Sequence, residues 1–117
     1  MRSRPKDLGT KLETFCVRRA QHHGLIAERL AEGAVYDRGD IRILTDREWV
    51  GEVKDRMSLN LPAALEKAIG KSGSADTFVV WRKMVRRNGN TNRTQDGPVV
   101  VAMTLDRFLE LLVEGVS

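Results

Sequence analysis

The run Asp40-Ile41-Arg42-Ile43-Leu44-Thr45-Asp46-Arg47-Glu48-Trp49-Val50-Gly51-Glu52-Val53-Lys54 reads as a β-hairpin. Asp40 to Leu44 alternates apolar and polar residues, Trp49 to Lys54 is a partner strand, and Thr45 to Glu48 is polar enough to be the turn. Two strands joined so closely should be antiparallel. Side chains two apart on a strand share a face, which sends Glu52 and Lys54 out together and Val53 to the other side. Where Asp40 falls depends on the turn. A turn centred near Asp46 sets Asp40 opposite Glu52, whereas an even turn sets it opposite Val53, so bringing both carboxylates to one face needs an odd loop or a bulge.

Upstream of the hairpin, Ile26 to Leu30 reads as a further strand, and Ala31 to Gly39 as a glycine-containing loop that carries Tyr36, Asp37 and Arg38. Before it, Leu8, Leu12, Phe15, Cys16 and Ala20 recur at helical spacing, which predicts an amphipathic helix over about residues 8 to 23, closed by Gly24. Downstream, Asn60, Leu61 and Pro62 open a second helix with Leu61, Leu65, Ala68 and Ile69 on one face, and Gly70 to Gly73 stop it. Thr77 to Val85 is β-rich, and Pro98 to Met103 is apolar enough for a strand buried on both faces. Arg86 to Gly97, between them, is a polar loop. Thr104 can cap a last helix whose Leu105, Phe108, Leu109 and Leu112 face the core. Helix, strands, helix, strands, helix is an α/β order. No repeat or linker interrupts it, so residues 1–117 are expected to form a single domain.

With 41% hydrophobic and 31% charged residues in 117, the chain has the composition of a globular protein. It has no apolar run of the roughly 18 to 20 residues that cross a membrane, and Met1 to Lys6 is basic with no apolar stretch behind it. A cytoplasmic location is the expectation. The single cysteine, Cys16, falls in the apolar stripe of the first helix and should be a buried, inert thiol. His22 and His23 close that helix, where a positive imidazole suits the dipole; a zinc site would need companions at ligand spacing.

The formal charge is +4 and the pI about 9.6. Arg82, Lys83, Arg86, Arg87 and Arg93 stand between Thr77 and Gln95 with no acidic residue among them. A second basic group, Arg2, Arg4, Lys6, Lys11, Arg18 and Arg19, has only Asp7 and Glu13 for balance. Each group is either a solvated face or a phosphate-binding one. Two carboxylates beside a lysine likewise have two readings. They can be an exposed strand face stitched by ion pairs, or the hard-oxygen ligands of Mg²⁺ with a lysine poised for phosphate chemistry. Trp81 alternates with Val79 and Val85 and should pack in the core, though it can also stack on a base. Trp49 and Tyr36 are hydrophobic neighbours of the hairpin. Glu13 stands beside the apolar stripe of its helix, either as a solvated boundary residue or facing the same site.

Gly9-Thr10-Lys11-Leu12-Glu13, then Asp37-Arg38-Gly39-Asp40-Ile41, then Glu52-Val53-Lys54 follow in order. This pattern resembles the Holliday-junction-resolvase group of PD-(D/E)XK nucleases. Within that group it more closely resembles small resolvase-like nucleases of actinobacterial phages and prophages, which share the Ala27-Glu28-Arg29 to Asp40 stretch and a late Trp81-Arg82-Lys83 strand. The resemblance runs from about Gly9 to Leu112. It implies a restriction-endonuclease-like αβββαβ core, with a mixed central sheet flanked by helices. It implies Asp40, Glu52 and the Val53 carbonyl as ligands of Mg²⁺, which Mn²⁺ would replace, with Lys54 next to the attacking water and Glu13 in water-mediated contact. Lys11, Arg38, Arg56, Arg82, Lys83, Arg86, Arg87 and Arg93 would then bind nucleic acid. Branched DNA is the implied substrate, a homodimer the implied assembly and the host cytoplasm the implied location if the gene belongs to a phage. No organic cofactor is expected. The alternatives are a nuclease of the same fold acting on flaps, single strands or duplex sites, and an inactive DNA-binding module. The loop Ala31 to Gly39 holds no serine, where archaeal resolvases often carry one.

Overall fold

A computed structural model of the chain describes residues 5–30, 37–83 and 98–115, with side chains in the first helix from Thr10 onward. The elements are α1 (Pro5–His22), β1 (Ile26–Arg29), β2 (Ile41–Leu44), β3 (Glu48–Arg56), α2 (Leu61–Lys71), β4 (Asp76–Lys83), β5 (Val99–Ala102) and α3 (Leu105–Gly115). The strands form one sheet in the order β1-β2-β3-β4-β5. β3 and β4 are parallel, and every other neighbouring pair is antiparallel. The fold is therefore α/β, a mixed sheet flanked by helices, and its first six elements follow the αβββαβ order. Parallel neighbours need a crossover, and α2 provides it.

The hairpin register settles the question the sequence left open. Ile41 pairs with Gly51, Arg42 with Val50, Ile43 with Trp49 and Leu44 with Glu48. Glu48 thus belongs to the strand rather than the turn, and only residues 45–47 remain between the strands. That odd turn is centred on Asp46. One step beyond the ladder, the Asp40 N–H donates to the Gly51 carbonyl at 2.9 Å.

The main core lies between α1 and one face of the sheet. Leu12, Val17 and Ala20 pack on Ala27, Ile41, Val53, Phe78 and Val80, with Cys16, Ile43, Trp49 and Val99 at its margin. Phe15 was expected in the helix stripe but is 48% exposed, and Val17 is buried in its place. Burial pushes the Cys16 thiol up to about 11, so it is protonated and unreactive at neutral pH. Gly24, at φ 85°, closes α1 as expected. Trp49 sits at the hairpin, its Nε1–H donating to the Thr45 hydroxyl at 3.3 Å. Tyr36 and residues 84–97, including Val85 and the expected loop, lie outside the described residues.

The opposite face carries Val50, Glu52, Lys54 and Val79 and is covered in part by α2. Asn60 caps this helix by accepting the Ala63 N–H, and Ala68 is its one buried residue. Ile69, expected on the apolar face, is 45% exposed. Two further expectations fail at the sheet edge. β5 is not buried on both faces, because it is the last strand and its Val101 is 58% exposed. Thr104 does cap α3, yet Leu105, Phe108, Leu109 and Leu112 are all exposed and no residue of α3 is buried. The helix is tied to the β2–β3 turn and the start of β4 by ion pairs from Arg107 to Asp76 and from Arg47 to Glu114, with the Arg107 guanidinium over the Trp49 ring. Among the described residues no helix is long and apolar enough to cross a membrane.

Candidate active site

The β2–β3 register puts Asp40, Glu52 and Lys54 on one face of the sheet. The ladder ends at the Ile41–Gly51 pair, the Asp40 N–H donates to the carbonyl of the same Gly51, and the Asp40 carboxyl lies beside Glu52 and Lys54. Glu52 is buried, with 7% of its side chain exposed, and Lys54 Nζ lies 4.0 Å from its Oε2. The Val53 backbone N–H donates to Asp40 Oδ2 at 2.8 Å. In an extended strand a residue's N–H and C=O point to the same side, so the Val53 carbonyl points to the same edge of β3 as its N–H. Two carboxylates converge where the hairpin ladder stops.

The electrostatics reflect that crowding. Burial pushes the Asp40 carboxyl up to about 6, the adjacent Glu52 adds to the rise, and the Val53 N–H and Lys54 oppose it. A second lysine enters from α2. Lys71 contacts Glu52 Oε1 and lies 3.4 Å from Asp37 Oδ2. Burial works to lower its pKa, but the two carboxylates outweigh that and raise it. Glu52 Oε1 is buried, and the Lys71 ammonium is the cation beside it.

A buried carboxylate next to a second, half-buried one is a hard-oxygen pair suited to Mg²⁺, which commonly takes one or two carboxylates and keeps several waters. Among the described residues no group of three or more His, Cys, Asp or Glu side chains could hold an ion. An ion here would rest on Asp40, Glu52, the Val53 carbonyl and water.

From Glu52 and Lys54 a groove of about 280 Å³ runs between β3 and α2, edged by Arg56, Asn60, Lys67 and Lys71 with Ala63, Ala64 and Ala68 as its wall. Arg56 and Lys83 are exposed neighbours at the ends of β3 and β4, and alternation keeps both on the Glu52 face. The Trp81 Nε1–H donates to the Arg56 carbonyl at 3.1 Å. Trp81 is half-buried on this same face, not in the main core as expected.

Other residues singled out in the sequence lie elsewhere. Glu13 is buried on α1, with Arg29 Nε at 3.9 Å from its Oε1 on the far face of the sheet. Lys11, on α1, is exposed. Arg82 does not face a phosphate, because its guanidinium is buried against Asp55 beneath α1. Arg38 is likewise engaged within the fold, pairing with Glu48 and donating to the Ser72 carbonyl at 3.0 Å. This pairing holds the Glu48 carboxyl below its ordinary value. Arg42 joins the same network through Glu28 and Glu48, so the β1–β2 half of this face is the ion-paired surface that spacing alone allowed. Arg86, Arg87 and Arg93 lie outside the described residues. Lys71 and Lys67 escaped the sequence reading. Their spacing of four, beside Ala63, Ala64 and Ala68 on one side of α2, was the available signal.

No family model matches the chain, and no curated protein does. Among solved structures it is similar to Hjc, a Holliday junction resolvase from the archaeal hyperthermophile Archaeoglobus fulgidus, with 22% identity and a TM-score of 0.45. The similarity covers 64% of this chain and 64% of that one, so it spans a little under two thirds of that structure's length.

Proposed function

We propose that this protein is a Mg²⁺-dependent endonuclease that hydrolyses phosphodiester bonds in branched DNA, acting as a Holliday junction resolvase. The observation that carries the reading is the convergence of Asp40, Glu52 and Lys54 on one face, at the head of a groove edged by further cations. The ordered sequence pattern around them supports it, and by that pattern a phage-type enzyme working in the host cytoplasm is the fitting source. Asp40, Glu52 and the Val53 carbonyl would hold the ion, with Mn²⁺ as a substitute. When bound, it would stabilise charge developing on the phosphate and acidify a nearby water.

The chain's own residues would do the rest. Lys54, anchored beside Glu52, orients the attacking water and offsets negative charge on the phosphoryl oxygens. The water oxygen forms a bond to phosphorus, one ester P–O bond breaks, and the products are a phosphate monoester and a hydroxyl end. Arg56 and Lys83, with Lys11 and the Arg86, Arg87 and Arg93 segment, would steer phosphates toward the site.

Four-way junction, flap, duplex and single-stranded DNA, each end-labelled and incubated with Mg²⁺, Mn²⁺ or a chelator, test this. Paired nicks near the junction that vanish on chelation are expected. Cutting of the other substrates in preference would leave a nuclease of different specificity, and metal-dependent binding without cutting would leave a binding module.

A further inference from the structure

Glu52 is a buried carboxylate held between two ammonium groups. Lys54 approaches one oxygen from the same strand, at 4.0 Å, and Lys71 contacts the other from α2. Only Lys54 follows from the strand pattern. Lys71 stands against the buried Oε1 and so already fills the cation position beside that oxygen. It is also held from behind, since Asp37 Oδ2 lies 3.4 Å from its Nζ. A lysine that bridges two carboxylates can leave one without becoming unpaired, because the other keeps it. Its side chain is 26% exposed and that of Asp37 is 73% exposed, so the outward move leads toward water.

We propose that Lys71 is a built-in counter-ion of Glu52, occupying the cation position of the site until a divalent ion displaces it onto Asp37. The proposal rests on the metal-site reading above. Without the ion, two adjacent carboxylates need compensating positive charge, and Lys71 gives it from an element that the groove separates from the strand. With the ion, the freed ammonium stays on the groove wall, where Lys67 and Arg56 already stand.

Calorimetric titration with Mg²⁺ alone, at pH 8 and without DNA, tests this on the full chain and on Lys71→Gln, Lys71→Arg and Lys67→Gln. Removing the competing charge should tighten Mg²⁺ binding about tenfold in Lys71→Gln, as expected for a partly buried ion pair. Lys71→Arg should stay near wild type. Lys67→Gln removes the same charge one turn away and should move the affinity less than about twofold. In thermal unfolding, Lys71→Gln should melt below wild type with chelator present, and Mg²⁺ should close the gap. Equal or weaker Mg²⁺ binding by Lys71→Gln, or a melting gap that Mg²⁺ leaves unchanged, would make Lys71 a structural brace and overturn the proposal. Absence of Mg²⁺ binding in every protein would instead overturn the metal site, and the proposal with it.

Discussion

Asp40 answers two opposed demands. In the proposed site it must be close enough to Glu52 to share a cation, and it must survive in the folded chain without one. The rise of its carboxyl from the ordinary 3.8 to about 6 reflects both burial and that neighbour. A raised carboxylate pKa means that its favourable contribution is complete below the unfolded value, near pH 4, and is lost as pH rises through about 6. Asp40→Asn keeps an acceptor for the Val53 N–H and removes the charge. In chelator, its stability advantage over wild type should be larger at pH 7.5 than at pH 4, by about 2 kcal/mol in urea unfolding. An advantage that does not change with pH would contradict the pairing. The same scale shows why charge runs mislead. Arg82 and Lys83 are adjacent in sequence, yet alternation sends one beneath α1 to Asp55 and the other to the open face. A basic segment names residues that can reach phosphate; only the sheet's covered side says which do.

Among the elements, the hairpin was the most legible, because a period of two fixes which residues share a face. The position of Asp40 was not legible, since it depends on whether the turn is odd, and Glu48 could be read either as turn or as strand. Lys71 was hidden for another reason: its partner is set by where α2 packs against β4, beside β3, and helical spacing says nothing about what a face meets. β3 also has a constraint that its sequence alone does not explain. The Phe78 ring lies over Gly51, and a Cβ built there would collide with it. Gly51→Ala should therefore destabilise the fold by about 1–3 kcal/mol through overpacking. Combined with Phe78→Leu it should be non-additive in chemical unfolding, the double variant losing less than the sum. Additive losses would place the cost in the backbone rather than in that contact.

For the whole molecule, the largest gap between pattern and structure is α3. Its amphipathic spacing correctly marked an apolar face, but spacing cannot say what covers it. Leu105, Phe108, Leu109, Leu112 and Val113 are 47–85% exposed, a contiguous apolar face of the kind that marks an association surface. For the proposed homodimer this is the surface of choice, since a two-fold pairing buries the same face twice. Phe108→Asp with Leu112→Asp should convert a dimer to a monomer in sedimentation while leaving the far-ultraviolet spectrum intact. A monomeric wild type would remove the dimer from the account and leave the site unaffected. The site itself is best tested by single-turnover cleavage of a labelled four-way junction in Mg²⁺, comparing wild type with Glu52→Ala and Lys54→Ala at DNA concentrations where all three are saturated. Cleavage by the wild type, with each variant bound to the junction and slowed at least about a hundredfold, is the predicted result. Variants that cut at the wild-type rate, or a wild type that binds the junction and Mg²⁺ and cuts nothing, would contradict it.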